Sequence, residues 1–157
     1  MIMEVDIFVE DKFAKENNLV DYINAVAYEL GLYGEGIIDR TISFEFKKKL
    51  DADAGGFCYG DTEEIDIEIA THIQGEPLDI EQIKINIAHE MIHAQQIMTG
   101  RLQDHGIQIL DGCLVKVAEW DGECYTNTKY DDQPWEVDAY ARESLVAKNA
   151  EGMLNVA

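Results

Sequence analysis

The segment Ile87-Ala88-His89-Glu90-Met91-Ile92-His93-Ala94-Gln95-Gln96 lies within a run from about Ile80 to Met98 in which Ile83, Ile87, Met91, Ala94 and Met98 form a stripe at helical spacing. Such a stripe is the core-facing side of an amphipathic helix. Pro77 and Asp79 introduce the helix and Gly100 closes it. Histidines four residues apart on a helix lie one turn above each other on the same face. His89-Glu90-Met91-Ile92-His93 is thus an H-E-x-x-H pattern: two imidazoles can converge on one metal ion, while the carboxylate between them stays free to act as a base on water. By composition alone the pattern arises in roughly 1% of shuffled sequences. Here it takes two of the chain's four histidines.

Downstream of this helix, Leu114, Val115, Val117 and Trp120 lead into Asp121-Gly122, with Glu123 to Thr126 following. Asp-Gly between two such runs predicts a two-residue hairpin, and that register sets Cys124 opposite Glu119 rather than opposite Cys113. Pro134 suits the first turn of a helix, and Trp135 to Ala150 has the composition to continue it. Upstream, Asn17 or Asn18 precedes a helical run from Leu19 to Leu32 that Gly31 and Gly34 stop. Ile42, Phe44 and Phe46 then alternate with polar residues between Thr41 and Phe46, the period of a half-buried strand. A second strand region runs from Gly56 to Ile69. Within it Ile65, Ile67 and Ile69 alternate with Glu64, Asp66 and Glu68, which predicts an edge strand guarded by charge. The order of helix, strands, helix, hairpin and helix implies one α+β domain over residues 1–157.

Composition excludes several classes of function. With 46% hydrophobic and 28% charged residues, the chain is that of a folded globular protein. Its 12 Lys+Arg against 32 Asp+Glu leave a net charge of −20, and residues 51 to 83 carry ten carboxylates and no cation. A nucleic acid is therefore not the expected ligand, since phosphate binding concentrates positive charge. Cys58, Cys113 and Cys124 have no C-x-x-C spacing and read as thiols of a reducing compartment. The opening MIMEVDIFVEDKF lacks the positive start and long apolar run expected of a signal peptide, and no run approaches the ~18 apolar residues of a membrane span. The expectation is a cytoplasmic monomer with no membrane or nucleic-acid partner.

A catalytic zinc takes three protein ligands, and the residues open to the third place are His105, Glu119, Glu123, Glu136 and Asp138. The ten-residue helix segment, followed by a hairpin and then Pro134-Trp135-Glu136-Val137-Asp138-Ala139-Tyr140, resembles the minimal gluzincins, small zincin-type metallopeptidases with a glutamate as third ligand, several of them encoded by phages and prokaryotes. The resemblance covers roughly residues 56 to 146. It implies a zincin-like α+β fold, a small and mostly antiparallel sheet packed on the H-E-x-x-H helix and a C-terminal helix. It also implies Zn²⁺ held by His89, His93 and Glu136, with Glu90 as catalytic base. Larger gluzincins carry an aspartate four residues after the ligand glutamate, beside a histidine; here that residue is Tyr140. Independently of the family, Pro134 puts Glu136 in the first turn of a helix, a rigid platform.

The reading is a zinc-dependent hydrolase that cleaves peptide bonds. In zincins the substrate runs along an edge strand, a place that Ile65 to Ile69 would take here, with carboxylates favouring a basic peptide or protein substrate. Tyr130, Tyr140 and His105 are the donors open for oxyanion stabilisation. The competing readings are a zinc-stabilised assembly or binding protein without catalysis and, with less support, an acidic mimic of DNA.

Overall fold

The computed structural model describes residues 4–33 and 40–155, so Gly34 as a helix stop lies outside them. Chain order is β1 (Asp6–Phe8), α1 (Lys12–Glu16), α2 (Leu19–Glu29), β2 (Thr41–Lys47), β3 (Gly56–Gly60), β4 (Glu64–Ala70), the two-residue strands β5 (His72–Ile73) and β6 (Glu76–Pro77), α3 (Ile80–Met98), β7 (Leu102–Leu110), β8 (Cys113–Trp120), β9 (Glu123–Thr126) and α4 (Pro134–Leu154). The architecture is α+β. No helix among the described residues is long and apolar enough to cross a membrane.

The main sheet has the order β1-β2-β4-β3. β2 pairs in parallel with both β1 and β4, and only β3 runs antiparallel, against β4. The mostly antiparallel sheet expected against the helix is therefore corrected: two of its three pairings are parallel. Alternation along β2 and β4 turns Ile42, Phe44, Ile65, Ile67 and Ile69 to one face, where they are buried against Ile83, Ile87 and Met91 of α3. Each fully buried side chain of this size contributes about 1.5–3 kcal/mol. α2 and α4 complete the helical layer, α4 through the small Ala139, Ala147 and Ala150.

The edge-strand expectation for residues 65–69 is also corrected. β4 is an interior strand, paired on both sides, and the edge belongs to β3. Asp66 and Glu68 alternate with the buried isoleucines and so project from the sheet face away from α3, Glu68 paired with Lys47. The argument for a basic substrate drawn from these carboxylates loses its footing, because they do not face α3.

Beyond α3 the chain forms a three-stranded meander, β7-β8-β9. The Asp121-Gly122 turn has positive φ at both residues (50° and 86°) and sets Cys124 opposite Glu119, as its sequence implied. Asp111-Gly112 (51° and 78°) builds the same turn between β7 and β8. β7 is a strand beyond those read from the sequence pattern, although its closing Asp111-Gly112 carries the same hairpin signal. All three cysteines are free thiols.

Candidate metal centre

α3 carries His89 and His93 on one buried face, and α4 lies against it so that Glu136, in its first turn behind Pro134, meets both. Nε2 of His89 donates to Oε1 of Glu136 at 3.0 Å, and Nε2 of His93 lies 3.0 Å from Oε2 of the same carboxylate. The two Nε2 atoms are 3.2 Å apart. One donor atom from each of the three residues falls within 4.8 Å of the others. Of the five candidates for third ligand, Glu136 alone stands against the two histidines in this way. Asp138 accepts from Gln96 and Arg142, and His105 and Glu119 pair with each other at 3.3 Å.

The far nitrogens of both imidazoles are held as well. Nδ1 of His89 donates to Glu143 Oε2 at 2.8 Å, and Nδ1 of His93 donates to the side-chain oxygen of the fully buried Gln96 at 2.8 Å. Gln96 in turn donates to Asp138 and to the Trp135 carbonyl, which ties α3 to the start of α4. Glu143 is the partner that the tyrosine at 140 could not supply. It lies seven residues after Glu136, two turns along the same face, a spacing legible in the sequence. Gln96, three residues after His93, was legible on the same ground.

Electrostatics follow from burial and pairing. Burial acts to raise Glu136, but hydrogen bonds from His89 and His93 outweigh it and bring the carboxyl to about 2. Burial acts to lower His89, and hydrogen bonding to Glu136 with the charge of Glu90 carries it up to about 9 instead. His93 is raised for similar reasons. Glu90 differs: burial dominates and pushes its carboxyl up to about 7, with the two histidines pulling back. The site therefore pairs a carboxylate kept ionised with one poised near neutrality.

β3 closes the site from the sheet side. Its residues facing α3 are the small Gly56, Cys58 and Gly60. A Cβ at Gly56 would sit 2.8 Å from Glu90 Cγ and 3.1 Å from its Oε2, so only glycine lets the edge strand pass this close to the carboxylate. Gly56→Val is expected to cost about 1–3 kcal/mol by overpacking, read as a lower urea midpoint, and to displace Glu90.

Tyr130, in a short 3-10 turn before α4, donates to Glu136 Oε1 at 3.0 Å, and its hydroxyl lies 2.9 Å from that of Tyr140. Tyr140 packs its ring on His89, centroids 4.5 Å apart. A cleft of about 540 Å³ opens beside His93 and Glu136, walled by β3, the meander and Trp135, with His105 in its lining. Of the three donors considered for an oxyanion, Tyr130 and Tyr140 are at the centre and His105 is on the cleft wall. Trp120 is buried under Arg101, whereas Trp135 faces the cleft. Compared with protein-family models, curated proteins and solved structures, the chain matches none.

Proposed function

We propose that the protein is a zinc-dependent hydrolase of the zincin type that cleaves peptide bonds. The observation that carries this is the convergence of His89, His93 and Glu136 beside the buried Glu90, with His93 and Glu136 lining a cleft.

The donor set fits a zinc ion. Tetrahedral coordination with bonds of about 2.0–2.1 Å separates ligand atoms by about 3.3 Å; the two Nε2 atoms stand 3.2 Å apart, each 3.0 Å from a different oxygen of Glu136, and one donor atom from each residue lies within 4.8 Å of the others. Hydrogen bonds at both Nδ1 atoms direct the two Nε2 atoms to the common point, the arrangement that orients ligand histidines. His89, His93 and Glu136 would hold the ion. When bound there, zinc supplies Lewis acidity, polarising a carbonyl and making water more acidic.

The chain's own groups do the rest. Glu90, buried on α3 beside both histidines, takes a proton from attacking water and returns it to the leaving amine, the role of a positioned general base and acid. Tyr130, whose hydroxyl donates to Glu136 Oε1 in the free site, offers that proton to charge developing on the carbonyl oxygen by turning away from the carboxylate. The free edge of β3, running past Glu90, offers main-chain hydrogen bonds to an extended peptide.

The test is chelation and reconstitution. Protein stripped of metal should leave a quenched-fluorescence peptide library uncut, and about one equivalent of zinc should restore cleavage. A zinc-loaded protein that cuts nothing overturns the proposal. Glu143→Ala and Gln96→Ala should each weaken zinc binding about 10–100-fold in competition with a chelating dye. Tyr140→Phe, which keeps the ring on His89, should leave zinc affinity unchanged.

A further inference from the structure

One wall of the cleft continues outward beyond the cleft itself. Strand register puts Leu102, Asp104, Ile107, Lys116, Ala118 and Tyr125 on one face of the meander, and all six line the cleft that reaches His93 and Glu136. Ile109 and Leu114, paired across the β7–β8 hairpin, extend the same face. Ile107, Ile109 and Leu114 are 65%, 72% and 73% exposed.

A single local device sets this arrangement. Side chains alternate along a strand, so Ile107 and Ile109 would face away from Leu102 and Asp104 in a regular β7. Between Asp104 and Ile107 the register shifts, with His105 and Gly106 together opposing Val117. That extra residue is a β-bulge, with Gly106 at φ 68° and its N–H bonded to Asp104 Oδ1 at 2.8 Å. The bulge turns both isoleucines onto the cleft side of an arm whose opposite face, with Gln108, Leu110 and Cys113, is also exposed. In a chain of −20, this face of the arm carries no carboxylate beyond the bulge, and Lys116 is its charged residue.

The area decides what such a face can hold. Three aliphatic side chains offer on the order of 300 Å² of apolar surface, well short of the ~800 Å² per partner of a stable protein interface. Two copies of a chain this acidic also repel each other. A single extended segment, lying along the arm and into the cleft, matches both the size and the direction of the face.

We propose that the β7–β8 arm is the docking surface for an extended polypeptide carrying large aliphatic or aromatic side chains, and that it feeds the adjoining stretch into the cleft. The inference deepens the hydrolase reading and rests on it, the docked segment being the substrate.

Two fluorescein-labelled 12-residue peptides of equal charge test it, one with Leu and Phe at alternate positions and the other with Ser there. Their anisotropy is measured on zinc-loaded Glu90→Gln protein, which separates docking from cleavage. The Leu/Phe peptide should bind at least about tenfold more tightly. The combined change Ile107→Ser, Ile109→Ser and Leu114→Ser should bring the two affinities within about twofold, with an unchanged melting temperature. Leu110→Ser, on the opposite face of the same hairpin, should leave the preference intact. Equal affinities on the unaltered arm, or a preference that survives the triple change, overturn the proposal. So does a triple change whose sole effect is to turn a dimer into a monomer by light scattering, which would make the arm a self-contact. An arm-dependent preference in a wild-type protein that cleaves neither peptide nor library supports the docking surface and overturns the hydrolase reading alone.

Discussion

Zinc-loaded protein with Glu90→Gln is expected to keep its metal and lose peptide-bond turnover by about 10²–10⁴-fold. The amide preserves the shape of the side chain between Gly56 and α3 but cannot take up a proton. Loss of fold is not the cause to expect. Burial raises the Glu90 carboxyl from its ordinary 4.5 to about 7, so the folded metal-free protein binds the proton more tightly than the unfolded chain does. Stability is then lost as pH rises from about 4.5 through about 7, and a neutral amide removes that cost. At pH 8 the variant should therefore melt no lower than wild type when both are metal-free. Metal content by mass spectrometry and turnover on the same preparation check the prediction. A variant that cleaves as fast as wild type ends the assignment of Glu90 as the base.

The second large effect concerns Glu136→Ala, which should abolish zinc binding and with it the thermal stabilisation that added zinc gives the wild type. In the metal-free protein it should also lower stability by about 3–5 kcal/mol near pH 6, the cost of breaking a buried ion pair from one side. The reason is local: Glu136 is the counter-charge that both raised histidines face through Nε2, and its side chain is 12% exposed. His89 titrates at about 9, so the penalty should shrink as pH rises through that value and the imidazole no longer needs a partner. Urea denaturation at two pH values reads this directly. His105→Ala and Glu119→Ala, which remove members of a separate pair, should leave zinc bound. Zinc retained in Glu136→Ala and lost in either of those would move the site to the wrong side of the cleft.

Much of this arrangement follows from local pattern. Periodicity alone placed α3 at residues 80–98, and the H-E-x-x-H spacing put two histidines on its buried face. Pro134 marked the turn that presents Glu136, and Asp121-Gly122 set the β8–β9 register. These succeed because each depends on a few neighbouring residues whose geometry is set by the helix or by a two-residue turn.

Strand order was not legible in the same way. The isoleucine alternation of residues 65–69 describes a strand with one greasy face, and it reads identically whether that strand sits at an edge or between two others. Only the pairing of β4 with β2, in addition to its hairpin partner β3, places it inside, and the β2–β4 pairing joins segments well separated in sequence. Glu143 and Gln96 had spacings that pointed to them, yet their role depends on how closely α4 packs on α3.

The sequence by itself determined the elements that local periodicity can encode: the metal-type helix, the later glutamate on a helix start, the hairpin turn, and an acidic α+β chain. Tertiary structure alone decided which strand passes over Glu90, which side chains hold the far nitrogens of the histidines, and which way the β7–β8 arm faces. Those depend on strand order, on helix-to-helix distance and on one inserted residue at Gly106, each a product of contacts between distant segments or of a register that no single run of residues specifies.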